Sequence, residues 1–211
     1  MNNKKIPVVN FRISEDLSEG AKNKKRTPPE ICELRRWITK SSKELFEKKK
    51  VIVFSLPGAF TPTCSTFQLP GFDDLYSDFQ NAGVDEIYCL SVNDSFVMNK
   101  WADWAKVRNV KMIPDGSGLF TSAIGMMVDK DNLGFGFRSW RYALLLNDGI
   151  VEQAFIEPGF TDNAEDDPYG ESDPAAVLNY ITGESPVQPK GRQLTLDLED
   201  GIMNKDKLGA D

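Results

Sequence analysis

The order of apolar patterns along the chain predicts an α/β protein with a mixed central β-sheet flanked by helices. Two continuous apolar runs of strand length, Val51–Leu56 and Glu86–Val92, are typical of central strands buried on both faces. A helical pattern separates them, and an Asn-Asp-Gly turn at 147–149 joins two further β-type segments as a hairpin. Because helical crossovers give parallel strands and a hairpin adds antiparallel ones, the sheet should be mixed.

The first 50 residues are predicted to hold a strand, a polar insertion and a short helix. Ile6–Ile13 has the β-branched, apolar content of a first strand. The Lys-rich stretch Ser14–Pro29 ends in Pro-Pro, which indicates a loop or an insertion. Thr39–Lys50 should then form a short helix, capped by Ser41 or Ser42.

Two longer helices are predicted around the second central strand. Apolar residues recur at helical spacing from Leu69 to Phe79, and Gly83 ends that helix. Residues 93–95 supply N-cap side chains for the next helix. We expect the apolar face of that helix to carry Val97, Trp101 and Trp104.

One domain with a tail is the predicted organisation. The hairpin Tyr142–Ile156 and a last helix at about Asp173–Ile181 complete the compact part. The domain should therefore span residues 1–182, with a polar insertion at about 14–29. Residues 183–211 are rich in Pro, Gly and charge, which indicates a polar C-terminal tail.

Charge and hydropathy exclude several classes of protein. The net charge of −7 and a pI near 4.8 argue against nucleic-acid binding. No run approaches the roughly 20 apolar residues of a membrane helix, and the N-terminal residues lack the apolar core of a signal peptide. We therefore expect a cytoplasmic protein without a membrane partner. The charge is uneven, basic over Glu19–Lys50 and strongly acidic after Glu157.

Cysteine and histidine usage narrows the chemistry further. The three cysteines, Cys32, Cys64 and Cys89, form no C-x-x-C pair, which argues against a secreted disulfide framework. The chain has no histidine, so Ser-His-Asp and Cys-His hydrolases and imidazole zinc sites are excluded, and no metal is expected. Any reactive cysteine must form its thiolate without a histidine base.

The segment Pro-Gly-Ala-Phe-Thr-Pro-Thr-Cys at 57–64 carries the chemical signal. Thr61 is a good N-cap and Pro62 suits the first helical position, which places Cys64 in the first turn of a helix. Free N–H groups and the positive end of the helix dipole favour a thiolate there. Thr61 is close enough for its hydroxyl to contact the sulfur or a bound oxygen, and Pro57 ends the strand and helps to close the pocket. The same pattern also fits an inert cysteine packed near a helix start.

The segment matches the P-x-x-x-T-x-x-C signature of the peroxiredoxins, and its Pro-Gly-Ala-Phe-Thr-Pro form resembles the type II, peroxiredoxin-5-like subfamily. The resemblance covers about residues 5–182. It continues in the blocks Leu69–Phe72, Cys89–Asp94, Ile113–Gly116, Gly134–Gly136, Arg138–Tyr142 and Asp148–Gly149. It implies a thioredoxin-like fold and a thiol peroxidase that reduces hydrogen peroxide and organic hydroperoxides in antioxidant defence and redox homeostasis.

The resemblance also assigns roles to residues. Cys64 matches the peroxidatic cysteine that becomes a sulfenic acid, and Pro57 and Thr61 match the active-site proline and threonine. Arg141 matches the active-site arginine, with Arg138, three residues away, as the competing candidate. An arginine keeps its charge and presents a planar fork of donors, which suits a thiolate and a peroxide.

Two positions, Gln68 and Cys89, bear on how Cys64 is activated and how its oxidised form is reduced again. Many type II members carry histidine where this chain has Gln68, which does not titrate, so Gln68 should be at most structural. Cys89 matches a proposed resolving cysteine of some members, but its apolar strand favours simple packing. Cys32 is interpreted as structural or incidental. We therefore expect a one-cysteine mechanism without bound cofactor, using glutathione, glutaredoxin or thioredoxin as external reductant, in a homodimer.

Two other functions compete with the peroxidase. A redox sensor would use the same Cys64 and pass its oxidation to a partner protein, docked on the basic segment Glu19–Lys50. A noncatalytic scaffold with the same fold is disfavoured because Thr61, Cys64 and Arg141 are all present. Steady-state peroxide turnover separates enzyme from sensor, since a sensor without its partner stops after one oxidation.

Overall fold

The computed structural model describes residues 1–16 and 35–184. The strands are β1 (Asn10–Asp16), β2 (Arg35–Ser41), β3 (Lys50–Ser55), β4 (Glu86–Ser91), β5 (Lys111–Pro114), β6 (Met127–Asp129), β7 (Phe137–Ser139), β8 (Tyr142–Asn147) and β9 (Ile150–Ile156). The α-helices are α1 (Ser42–Phe46), α2 (Leu69–Asp74), α3 (Tyr76–Asn81), α4 (Ser95–Trp104), α5 (Leu119–Ala123) and α6 (Pro174–Thr182), with a π-helical turn at Cys64–Gln68 and a 3₁₀ turn at Asp131–Leu133.

A five-stranded sheet in the order β5-β4-β3-β8-β9 forms the centre of the fold. Strands β3, β4 and β5 are parallel, whereas β8 is antiparallel to β3 and β9 is antiparallel to β8. The predicted mixed sheet is therefore confirmed. The predicted hairpin is also present, and its turn residues Asp148 and Gly149 have φ of 51° and 72°. A turn with two positive φ angles matches the right-handed twist of the two strands.

Apolar side chains cover both faces of this sheet. Alternate residues of β3 point to opposite sides, so Ile52 and Phe54 belong to one core cluster and Val51 and Val53 to the other. The rings of Phe54 and Phe72 stack with centroids 4.2 Å apart, which joins α2 to the sheet. These buried central strands produce the continuous apolar runs of the sequence.

The N-terminal region differs from the prediction. The first strand begins at Asn10 and continues to Asp16, so residues 14–16, assigned to the insertion, belong to β1. Residues 39–41, predicted as helix, lie in β2, which pairs with β1 in a separate two-stranded sheet. The helix α1 begins only at Ser42, because Ser41 caps it in a capping box with Glu44, and it ends at Phe46, since the backbone of Glu47 is extended. The remainder of the insertion, 17–29, and Cys32 lie outside the described residues.

Other helices are present with small differences. The predicted helix Leu69–Phe79 is two helices, α2 and α3, that meet at Leu75. Asp94 caps α4 as expected, but Met98 rather than Val97 shares its buried face with Trp101. The short strands β5, β6 and β7 were not predicted. They contain only three or four residues each, too few for a clear periodic pattern.

The C-terminal part ends as the sequence predicts. Asp173 caps α6 and Gly183 follows it with φ of 74°, the usual glycine end of a helix. Residues 185–211 of the predicted tail lie outside the described part, so the division into domain and tail stays a prediction. None of the helices in the described part is long and apolar enough to cross a bilayer.

Candidate active site

Cys64 lies on a turn that connects β3 to α2. The chain leaves the sheet after Ser55, passes through the buried Pro57 and enters a helical conformation at Pro62, so Cys64 lies in the first helical turn. The amide of Ser65 donates to the carbonyl of Thr61 at 3.0 Å, which makes Thr61 the residue before the helix, as predicted. Five residues, Cys64–Gln68, then form one π-helical turn, a feature often found at functional sites.

The Thr61 hydroxyl has a backbone partner. Its Oγ1 donates to the carbonyl of Gly58 at 2.8 Å. The hydroxyl proton is thereby used within the turn, and the expected contact of Thr61 with the sulfur is not among the hydrogen bonds of the described residues. The lone pairs of Oγ1 are still free to accept a hydrogen bond from a bound molecule.

Neighbouring elements hold the turn from outside. The indole Nε1 of Trp101, on α4, donates to the Ser65 hydroxyl at 3.0 Å. The side-chain oxygen of Asn93 accepts from the amide of Ala59 at 3.0 Å. Phe60 has φ of 63°, an uncommon angle for a residue with a side chain, and its ring packs 5.4 Å from Trp104. The turn is thus held by side chains that follow the neighbouring strand β4.

Arg141 brings a cation to the sulfur. Arg141 is 1% exposed, and its Nη1 donates to Cys64 Sγ at 3.4 Å and to Gln68 Oε1 at 2.7 Å. Nε donates to the carbonyl of Pro168 at 3.1 Å, and Nη2 pairs with the carboxylate of Asp167. Burial alone would lower the pKa of Arg141, but Cys64 and Asp167 more than offset this and raise it. The guanidinium therefore stays charged beside the sulfur.

Strand register explains why Arg141 meets Cys64. Ser55, the last residue of β3, pairs with Tyr142, the first residue of β8. Pro57 and Arg141 therefore leave the sheet at the same end of two adjacent strands. Chemistry at the end of a sheet, where the hydrogen-bond ladder stops, is usual for α/β proteins.

Arg138, the competing arginine, lies elsewhere. Its Nη1 donates to the carbonyl of Val92 and its Nε to that of Phe135, each at 2.9 Å. Burial lowers the pKa of Arg138. Among the described contacts it braces two loops, whereas Arg141 contacts the sulfur, as the predicted assignment requires.

Several residues at the site were missed or undervalued. Gln68, expected to be at most structural, contacts Arg141 directly, and its spacing of four residues from Cys64 could have suggested a shared partner. Asp167 and Pro168 were not predicted at all. The only signal for them was the acidic character of the chain after Glu157, which does not single out one carboxylate.

Cys89 has a different environment. It lies in β4 opposite Phe54 of β3 and Met112 of β5, and it is completely buried. Burial, and to a lesser degree the charge of Cys64, raises the pKa of the Cys89 thiol well above its ordinary value. The Cys89 thiol is therefore a neutral, apolar side chain at neutral pH.

Together these contacts describe a site for a cysteine nucleophile. A permanent cation at hydrogen-bond distance stabilises a thiolate, and the first helical turn adds the helix dipole. In the described part of the chain no three His, Cys, Asp or Glu side chains converge as metal ligands would.

Known proteins are similar to this chain in sequence and fold. The Redoxin family profile matches residues 36–169. A peroxiredoxin of Rhizobium etli is 53% identical over 179 residues, which cover 84% of this chain and 94% of that protein. The 1-Cys peroxiredoxin of Plasmodium falciparum superposes with a TM-score of 0.75 at 32% identity and covers 87% of this chain and 99% of its own. Reduced Prx3 of Vibrio vulnificus in complex with H₂O₂ has a TM-score of 0.70 at 29% identity, over 86% and 98% of the two chains.

Proposed function

Since the chain belongs to the redoxin family and is a type II, peroxiredoxin-5-like peroxiredoxin with thiol-dependent peroxidase activity, we propose that Cys64 is the cysteine that attacks the peroxide. The contact of Arg141 Nη1 with Cys64 Sγ at 3.4 Å is the observation that carries the proposal. A buried sulfur with a buried, permanently charged donor suits an anionic nucleophile and not a packed thiol.

The residues around the sulfur fit the steps of peroxide reduction. The Cys64 thiolate attacks one peroxide oxygen, the O–O bond breaks, and the sulfur loses two electrons and becomes a sulfenic acid. The second oxygen leaves as water or an alcohol with the proton of the attacked oxygen, and the resulting sulfenate takes up a proton from solvent to give the sulfenic acid. The free lone pairs of Thr61 Oγ1 can accept the peroxide O–H, while Arg141 donates to the developing negative charge. We assign to the buried Pro57 the role of closing the pocket beside them.

The reacting cysteine can be identified directly. Stoichiometric hydrogen peroxide, followed by dimedone and peptide mass spectrometry, should place the sulfenic acid on Cys64 in the wild type. A dimedone adduct on Cys89 or Cys32, with Cys64 unmodified, would overturn the assignment. Alkylation of the denatured protein gives the matched count of unreacted thiols in each sample.

For the return step we propose a one-cysteine cycle in which glutathione and glutaredoxin reduce Cys64. The burial and raised pKa of Cys89 support an external thiol, because a neutral thiol inside a strand is a poor nucleophile. A structural neighbour described as a 1-Cys peroxiredoxin supports the same cycle.

A reductant panel tests this cycle. Turnover of hydrogen peroxide is followed with glutathione, with glutathione plus glutaredoxin, and with thioredoxin, each with its recycling enzyme. We expect the fastest turnover with glutathione plus glutaredoxin. Turnover with thioredoxin alone would reject the proposed reductant, and a single oxidation without turnover in any mixture would favour the redox sensor.

We also propose that the protein is a homodimer that associates near the active-site turn. Exposed apolar side chains on the turns around Cys64 support this surface, among them Phe60 at 44% and Phe67 at 49% exposure. Sedimentation of the wild type and of a Phe60→Asp variant should show a dimer and a monomer respectively. A monomeric wild type at micromolar concentration would reject the proposal.

A further inference from the structure

Glu157 is a buried carboxylate that does not touch the sulfur. It is 2% exposed and lies directly after β9. Its Oε1 accepts from the amides of Gly170 at 2.9 Å and Ser172 at 2.8 Å, and from the Ser172 hydroxyl at 2.7 Å. Its Oε2 accepts from the amide of Glu171 at 3.3 Å. Four donors therefore converge on one side chain.

The donors belong to a short segment, residues 167–172, whose other half holds Arg141. Asp167 pairs with Nη2, the Pro168 carbonyl accepts from Nε, and the ring of Tyr169 lies 5.7 Å from the guanidinium carbon. The first three residues of the 167–172 segment thus contact the arginine, and the last three are fixed to Glu157.

A second route runs from Glu157 to the same guanidinium. The Ser172 hydroxyl, which donates to Glu157, accepts from Nε2 of Gln68 at 3.3 Å. The Oε1 of Gln68 accepts from Arg141 Nη1 at 2.7 Å, and this nitrogen also contacts the sulfur. The backbone adds a third link, because the Glu157 amide donates to the Arg141 carbonyl at 3.2 Å.

An arginine side chain needs hydrogen-bond partners to hold it in one orientation. The side chain has many rotamers, and the partners that hold it in one orientation offset the entropy lost on fixing it. A cation displaced by about 1 Å from the reacting atoms loses much of its effect on the transition state. Within the part of the chain that the structure describes, Arg141 has three acceptors other than the sulfur, on Asp167, Pro168 and Gln68, and each of them is connected to Glu157.

We propose that Glu157 is a positioning residue for peroxide reduction, which acts by fixing the 167–172 segment and Gln68 so that Arg141 stays against Cys64. The inference rests on the proposed role of Cys64 as the peroxide-reactive cysteine. A carboxylate accepts from all four donors, whereas an amide in its place presents an NH₂ group to some of them.

The first test compares two buried carboxylates. In Glu157→Gln we expect the second-order rate constant for hydrogen peroxide, from stopped-flow tryptophan fluorescence, to fall 10- to 100-fold. Asp115→Asn is the matched control, since Asp115 is also buried and accepts from the amides of Phe120 and Thr121 and from the Thr121 hydroxyl. Asp115 anchors α5 and not Arg141, so this variant should stay within threefold of wild type. Equal losses in both variants would overturn the inference.

A double-mutant cycle separates positioning from general damage. In an Arg141→Ala background, Glu157→Gln should change the rate constant less than twofold, because the residue on which Glu157 acts is gone. A loss of tenfold or more in that background would show a structural effect and overturn the proposal.

Variants with milder effects decide the matter if Glu157→Gln does not fold. Asp167 is 48% exposed, so Asp167→Ala keeps the fold, and Ser172→Ala removes only the hydroxyl link. Each of these variants should slow the reaction with peroxide three- to tenfold when Arg141 is present. Neither should slow it in the Arg141→Ala background. Wild-type rates in both variants would overturn the inference about Glu157 and leave the proposed function of Cys64 intact. Absence of any peroxide reaction in the wild type and in Asp115→Asn would overturn the proposed function and the inference with it.

Discussion

The two buried cysteines occupy the same apolar cluster and yet have opposite surroundings. Cys64 and Cys89 are both 0% exposed and both pack among the side chains of one face of the sheet. Cys64 lies in the first turn of a helix with a guanidinium N–H at 3.4 Å. Cys89 lies in the middle of a strand, between Phe54 and Met112.

The comparison shows that burial alone does not decide whether a cysteine reacts. Burial disfavours a thiolate at both positions, because a charge loses its hydration. Only Cys64 has a cationic donor and a helix terminus to replace that hydration. Reactivity is therefore a property of the partners that the fold brings to the sulfur, and the following variants test that difference.

Removal of the Cys64 sulfur should have the largest effect. Cys64→Ser should lower the peroxide rate constant by at least about 10⁴-fold, because a neutral hydroxyl does not replace a thiolate nucleophile. Stopped-flow kinetics with hydrogen peroxide measures the loss, and Cys89→Ser serves as the control. Turnover within tenfold of wild type in Cys64→Ser would reject the role of this residue.

Removal of the cation should have the next largest effect. Arg141→Ala should slow peroxide reduction by about 10²-fold, equivalent to about 2.7 kcal/mol, because one charge-assisted contact to the developing charge is lost. The same kinetic assay applies. Arg138→Ala is the matched control and should stay within about threefold, since its donors serve backbone carbonyls. Greater damage from Arg138→Ala would reverse the assignment of the two arginines.

The burial of the Cys89 thiol should make the free energy of unfolding depend on pH. The pKa of Cys89 is raised in the folded protein, so above the ordinary thiol pKa of about 8.5 the unfolded chain releases a proton that the folded chain keeps. The contribution of Cys89 to stability is complete below that pH. It is lost as the pH rises, at up to about 1.4 kcal/mol per pH unit.

Urea unfolding of wild type and Cys89→Ala at pH 7.5, 8.5 and 9.5 measures this loss. The free energy of unfolding of the wild type should fall relative to the variant between the two higher pH values. The tyrosines are present in both proteins, so their contribution to the pH dependence cancels in the difference. Parallel pH curves would show that Cys89 is not the neutral, buried thiol described above.

The smallest expected effect is on turnover. Cys89→Ser should keep peroxidase turnover with glutathione and glutaredoxin within about twofold of wild type, because a disulfide would need the two Cα atoms within about 7 Å and both elements rearranged. Mass spectrometry of the oxidised wild type with glutathione present should show a Cys64–glutathione adduct. A stoichiometric Cys64–Cys89 disulfide, together with lost turnover in Cys89→Ser, would make the enzyme a two-cysteine peroxidase.

Features that depend on local sequence could be predicted, and features that depend on distant partners could not. The central strands, the 148–149 turn and the helical position of Cys64 each follow from a few adjacent residues. Strand β2 was missed because it is a half-exposed strand whose polar residues pair only with β1. Its extended conformation is thus set by tertiary pairing and not by its own pattern.

The residues of the candidate site also divide into those predicted from local sequence and those that depend on distant partners. Cys64 and Thr61 were predicted from one octapeptide, and Arg141 from a resemblance. Gln68 and Asp167 were not assigned to Arg141, since these residues lie 73 and 26 positions from it along the chain. Asp167 is one of many acidic residues in its region, and nothing in its local sequence indicates that it pairs with Arg141. The cellular compartment stays a prediction.

The anchoring of the 167–172 segment also determines where this protein can accept extra residues. On one side the Asn163 amide donates to the Asp129 carbonyl at 2.7 Å, and on the other Glu157 fixes the 167–172 segment. The exposed residues Glu165 and Asp166 lie between these two anchors. Each doubling of a flexible loop costs only about 0.6 kcal/mol, so an insertion there should leave the fold intact. An affinity tag, a fluorescent reporter or a fused reductase domain could therefore be inserted at this point, on the N-terminal side of Asp167 and close to Cys64.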